Sequence, residues 1–256
     1  MIDTHCHWNA KEFDVDRAAA LARARAAHVR QWLLPGTRLQ DIPSQRALLT
    51  EPGMHLTLGL HPMMCDDHPA DAIEQLAQAI ERDKPCAIGE IGLDLLAAPE
   101  SFPRQQALFA AQLALARRYD LPVMLHVRKA HGQTLEMLRA DPPPRGGVVH
   151  AFGGSLETAR EYRALGFCFG LGGMVTRPQA RKIRAMAAAL PLAWIVLETD
   201  APDLPPHGRN GERNEPAYLP QIAAAIAQLR GCDAAALIDA ADANARTLFD
   251  LPGEPA

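Results

Sequence analysis

The feature that most constrains this chain is a recurring pair. A short apolar segment closed by turn residues is followed by a helical stretch, and the pair recurs eight times. The apolar segments are Ile2–His7, Gln31–Thr37, Leu56–Leu60, Cys86–Asp94, Val123–Arg128, Gly147–Phe152, Phe167–Leu171 and Trp194–Asp200. Helices are expected from Asp14, as N-cap, to His28, and over Pro43–Glu51, Pro69–Arg82, Phe102–Tyr119, His131–Arg139, Ser155–Leu165, Pro178–Ala189 and Pro216–Leu229. A further helix is expected over Asp233–Leu248. Continuous apolar strands bounded by turns suit a parallel sheet covered on both faces. Eight strand–helix units in 256 residues predict an α/β protein, a closed (β/α)8 TIM barrel forming one domain over residues 1–256. No GxGxxG opens a helix after the first segment, which argues against an open dinucleotide-binding sheet.

Composition narrows the function classes. A formal net charge of -4 offers no broad basic surface for clamping duplex nucleic acid, so a polyanion would need a local patch or a bound cation. Aromatic residues at 5% leave little for a base-stacking platform. The five cysteines are scattered without a CxxC, which suits reduced thiols better than a disulfide frame or cysteine-built zinc site. With no signal-like segment before the first strand and no membrane-length apolar run, the expectation is a soluble cytoplasmic protein. No membrane association and no obligate protein partner are expected.

Side chains alternate along a strand, so His5 and His7 project from one face while Cys6 points to the other. In a barrel the strand C-terminal ends converge at one mouth. Those ends supply His5, His7, His61, Glu90, His126, His150 and Asp200, which include five of the ten histidines. A buried carboxylate among apolar residues costs several kcal/mol unless a cation or hydrogen bonds compensate it. Glu90 and Asp200 beside imidazoles therefore suggest metal ligation, the alternative being a buried polar network without an ion. So many ligands exceed the usual share of one catalytic ion, whereas two ions about 3.5–4 Å apart, bridged by one carboxylate, would use them all.

Asp3-Thr4-His5-Cys6-His7, Gly59-Leu60-His61-Pro62, Gly89-Glu90-Ile91-Gly92-Leu93-Asp94, His150-Ala151-Phe152-Gly153-Gly154, Glu198-Thr199-Asp200-Ala201-Pro202 and Asn214-Glu215-Pro216 occur in this order. Together they resemble the TatD family of metal-dependent deoxyribonucleases. The resemblance implies a barrel holding two divalent ions, with His5, His7 and Asp200 on the first, His126 and His150 on the second, and Glu90 bridging. Val127 and Ala151 depart from the commonest family pattern, and neither is a ligand position.

The expected chemistry is hydrolysis of DNA phosphodiester bonds by a hydroxide activated between two divalent ions (Mg, Mn or Zn), with Asp200 orienting it and accepting its proton. Glu90 is the second catalytic carboxylate. His61, Arg128 and Arg213 are expected to bind substrate, with Lys129 and Arg209 adding local positive charge at the rim. Few aromatics and a charge funnel confined to the metals suit a single-stranded end entering a pocket, hence 3′-5′ exonuclease action; DNA itself comes from the resemblance. The alternative is an amidohydrolase-type enzyme cleaving an amide or carboxylic ester, for example an aminoacyl ester. Such barrels often bridge their metals with a modified Lys on strand four, where this chain has Glu90, and Lys84 lies at the strand's other end.

Overall fold

In the computed structural model, which describes residues 1–97 and 99–253, eight parallel strands lie side by side in chain order. They are β1 (Ile2–Asp3), β2 (Gln31–Leu34), β3 (Met54–Leu58), β4 (Ala87–Asp94), β5 (Val123–Arg128), β6 (Gly147–Val149), β7 (Phe167–Leu171) and β8 (Ile195–Leu197). The helices are α1 (Arg17–Ala26), α2 (Ile42–Leu48), α3 (Ala72–Asp83), α4 (Phe102–Arg118), α5 (His131–Ala140), α6 (Leu156–Ala164), α7 (Arg181–Ala189), α8 (Leu219–Arg230) and α9 (Ala234–Phe249). The first strand meets the last. Thr4 N donates to Leu197 O and Asp200 N to His5 O, each at 2.9 Å, and Cys6 bridges to Ala201. The result is the expected (β/α)8 barrel. No helix among the described residues is long and apolar enough to cross a membrane.

Strand alternation divides the core into two layers. Trp32, Leu34, Leu56, Leu58, Ile88, Val123, Leu125, Val149, Phe167, Phe169, Ile195 and Leu197 pack outward with the apolar residues of the helices. The intervening residues Ile2, Leu33, Ala87, Met124, Val148, Cys168 and Val196 form a separate inner cluster, closed from below by Phe249 and Leu251 at the end of α9. In β3 the corresponding position is Thr57, whose buried hydroxyl donates to Gly89 O at 2.8 Å.

Several expected boundaries move. The first strand ends at Asp3, because His5 N bonds the Asp3 carboxylate at 3.2 Å in place of a neighbouring strand. β6 and β8 stop before His150 and Glu198, and the chain then takes left-handed turns at Ala151 (φ 45°) and Asp200 (φ 60°). Asp14 does not cap the first helix. A 3-10 turn over Lys11–Phe13 precedes it, and the Asp14 carboxylate pairs with Arg17 at 2.5 Å.

Helix α4 fixes two strand ends. Gln105 and Gln112 lie seven residues apart, on one helical face, and both are buried. The Gln105 amide accepts from Asp94 N at 2.8 Å and donates to Asp94 O at 3.0 Å. Gln112 repeats this on Leu60, accepting from its N at 2.7 Å and donating to its O at 3.1 Å. Each amide satisfies a backbone pair that the sheet has left open, and so holds the rim beside His61 and Asp94.

Candidate active site

Stepping two residues beyond the inner layer brings the side chains to the C-terminal mouth: Met124 leads to His126, Val148 to His150 and Val196 to Glu198. Space for them comes partly from Gly170 on β7. A Cβ there would stand 2.0 Å from Glu198 Oε2, so any larger residue would force the carboxylate from this position.

Glu90 sits at the centre and is 2% exposed. Its two oxygens face different imidazole groups. Oε2 lies 3.3 Å from His5 Nε2 and 3.9 Å from His7 Nε2. Oε1 lies 3.0 Å from His126 Nδ1, 3.3 Å from His61 Nε2 and 3.8 Å from His150 Nε2. Asp200 Oδ1 is 3.6 Å from both His5 Nε2 and His7 Nε2, while Oδ2 is 4.0 Å from His150 Nε2. Seven side chains predicted from strand ends scattered between residues 5 and 200 thus gather in one place.

Burial opposes charge throughout this group. It lowers the pKa of His5 and of His61. At His7 burial is outweighed by the hydrogen bond and charge of Asp200, and at His126 by hydrogen bonds to Asp94 and Glu90, so both are raised. At His150 it is outweighed by the charges of Glu198 and Asp200, which bring the ring up to about 10. Burial would raise the carboxyls too, but the surrounding imidazoles hold Asp200 below, and Glu90 well below, the usual range. Both carboxylates are therefore ionised at neutral pH.

The donor set fits a divalent cation. His5 Nε2 and His7 Nε2 face each other at 3.3 Å, and the buried His5 Nδ1 has no hydrogen-bond partner among the described residues. His5, His7 and Asp200 can each direct a ligand atom within 4.8 Å of the others, as can His61, Glu90 and His126. These are nitrogen and oxygen donors, suited to Zn, Mn or Mg. Burial raises the Cys6 thiol well above its ordinary pKa, so it remains neutral and offers no thiolate.

Two carboxylates escaped the sequence reading as site residues. Asp94 Oδ2 lies 2.9 Å from His126 Nε2, and Glu198 Oε1 lies 3.1 Å from His150 Nδ1. Glu198 also accepts from Ala151 N at 2.7 Å. The available signal was an acidic residue within an apolar run, two positions before Asp200 in one case and four after Glu90 in the other.

The expected substrate contacts divide. His61 joins the cluster, accepting from Met63 N through Nδ1 at 3.2 Å. Arg128 ends β5 two residues after His126 and is exposed; its guanidinium forms no ion pair among the described residues. The guanidinium of Arg213 is already engaged: it donates to Asp16 and to Glu12 O and stacks on Phe13 at 4.5 Å. Lys84 is the exposed, left-handed C-cap of α3, at the opposite end of β4 from Glu90.

The family model for TatD related DNase matches residues 2–250. The chain is 43% identical to the uncharacterized metal-dependent hydrolase YjjV of Escherichia coli K12, covering 98% of each chain. It is 36% identical to a protein of Klebsiella pneumoniae named 3′-5′ ssDNA/RNA exonuclease TatD, again covering 98% of each. The crystal structure of the E. coli YjjV protein superposes with a TM-score of 0.94, covering 98% of both chains. A TatD-family hydrolase of Entamoeba histolytica, 19% identical over 97% of both chains, shares the fold at a TM-score of 0.85. Because the family match runs nearly end to end and such relatives align over almost their full length, this chain belongs to the TatD family and is a metal-dependent hydrolase.

Proposed function

We propose that this hydrolase cleaves phosphodiester bonds of DNA, removing nucleotides from single-stranded 3′ ends. The observation that carries the reading is Glu90, whose two oxygens face separate groups of imidazoles, as a carboxylate shared between two cations must. His5, His7 and Asp200 would hold one ion and His126 and His150 the other, with Glu90 between them. Bound divalent cations lower the pKa of a water and polarise the phosphoryl group that it attacks.

The chain's own residues supply the rest. Asp200 is ionised, and its left-handed backbone turns the carboxylate into the mouth, where it orients the attacking water and takes its proton. The lone pair of His61 Nδ1 is occupied by Met63 N–H, so the neutral ring carries its proton on Nε2. That nitrogen is a donor, suited to a phosphate oxygen or to the departing oxygen. Arg128 adds an exposed guanidinium beside the mouth, suited to a backbone phosphate. The Klebsiella relative, named a 3′-5′ ssDNA/RNA exonuclease, supports both a polynucleotide substrate and the direction of attack.

The test is a substrate panel with metal-stripped protein given back Mg, Mn or Zn. A 5′-labelled single-stranded oligodeoxynucleotide should shorten progressively from its 3′ end, and a 3′-phosphorothioate cap should block it. An RNA arm measures sugar selectivity. Turnover of amides or carboxylic esters with the oligonucleotide left intact would overturn the proposal in favour of amidohydrolase chemistry.

A further inference from the structure

We infer that Asp94, which is not a ligand in the reading above, is a positioning residue that decides which nitrogen of His126 is offered to an ion. The inference rests on His126 being a ligand. A neutral imidazole carries one proton, so one ring nitrogen donates and only the other has a lone pair for a metal. His126 lies between two carboxylates: Nε2 faces Asp94 Oδ2 at 2.9 Å, and Nδ1 faces Glu90 Oε1 at 3.0 Å. The proton must settle on one side.

The surroundings of Asp94 settle it. Its Oδ1 accepts from the backbone N–H of Leu96 at 2.8 Å and of Ala97 at 2.7 Å. Gln105 clamps its main chain from α4, and the residue is fully buried. These bonds hold the carboxylate in place, and among the described residues Oδ2 receives only from His126 Nε2. The ring donates through Nε2, and Nδ1 is free for the ion beside Glu90. Glu198 stands in the mirror relation to His150: Nδ1 faces Glu198 at 3.1 Å, and Nε2 is turned to Glu90 and Asp200. The two histidines thus present opposite nitrogens to the centre, each with a carboxylate on the far side of its ring.

Asp94→Asn is the discriminating substitution. It preserves size and shape. The amide oxygen must stay with the Leu96 and Ala97 N–H groups, which places the NH2 against His126 Nε2. Two donors cannot face each other, so the ring proton moves to Nδ1 and blocks the ion-facing lone pair. Histidine 15N NMR of metal-free protein, taken at a pH high enough for the raised pKa of His126 to leave the ring neutral, should show the Nε2–H tautomer in the native chain and Nδ1–H in Asp94→Asn. Titration with Mn or Zn against a competing chelator should show ion affinity reduced about 10–100-fold in Asp94→Asn. Asp94→Ala, which imposes no tautomer, should lose less. An Asp94→Asn protein with an unchanged tautomer, or with ion affinity within about twofold of native, overturns the inference. His126→Ala separates the two levels: unchanged ion affinity there overturns the ligand reading itself and the inference with it, whereas a loss in His126→Ala without one in Asp94→Asn overturns the positioning role alone.

Discussion

Glu90 is held in a place that water barely reaches, so its neighbours must supply what hydration would have. Five imidazole nitrogens within 3.9 Å do so in this structure, from His5, His7, His61, His126 and His150. Removing the charge while keeping the shape should disable the centre. Glu90→Gln is expected to lower turnover at least about a hundredfold and to reduce the bound ions per chain, read by elemental analysis beside the kinetics. Gly170 carries a second residue-level prediction. An alanine there would place Cβ 2.0 Å from Glu198 Oε2, a buried oxygen that would have to shift. Gly170→Ala should destabilise the metal-free protein by about 1–3 kcal/mol in urea unfolding, because overpacking a rigid site forces neighbours off their preferred positions.

The segment between β8 and α8 is a long loop kept in place by a few side chains. Asn214, fully buried, donates to Thr199 O at 2.8 Å and to Asp203 O at 2.6 Å, and accepts from Glu215 N. Asn214→Ala should cost about 1–3 kcal/mol for the carbonyls left unpaired, and limited proteolysis should then cut within residues 201–213. The loop is also tied to α1, since Arg213 and Arg23 both bind Asp16 and Glu215. Hydrogen bonds from Arg213 and then Arg23 bring the Asp16 carboxyl down to about 2. A carboxyl depressed on folding contributes stability that is complete above its unfolded pKa, near 4, and is lost as pH falls toward 2. The stability difference between the native chain and Asp16→Asn, measured by chemical unfolding across pH, should be flat from neutrality to about pH 5 and shrink below it.

At the scale of the whole molecule the barrel brings remote carboxylates and imidazoles together, and on the function proposed above a cation held among them would offset the cost of their burial. Binding to the folded state alone should therefore raise the melting temperature with ion concentration, by an amount equivalent to about 2.7 kcal/mol when free ion is a hundredfold above Kd. Chelation should reverse the shift. The barrel and most of the rim were legible in the sequence, because both rest on short-range regularities. Period-two alternation tells which side chains share a strand face, and strand direction tells which ends share a mouth; His126, His150 and Asp200 follow from these rules. Arg213 followed the same rules onto a rim loop, yet its partner Asp16 lies 197 residues away, and pairing across that distance occupies the guanidinium. Asp94 was equally readable as the end of an apolar run, but its significance depends on which ring nitrogen of His126 it meets. By itself, then, the sequence determined the repeating units, their inward and outward faces and the chemistry gathered at one end, all consequences of local geometry. Only the tertiary structure decided which donor meets which acceptor, because hydrogen bonds select partners by distance and direction in space, and neither is written along the chain.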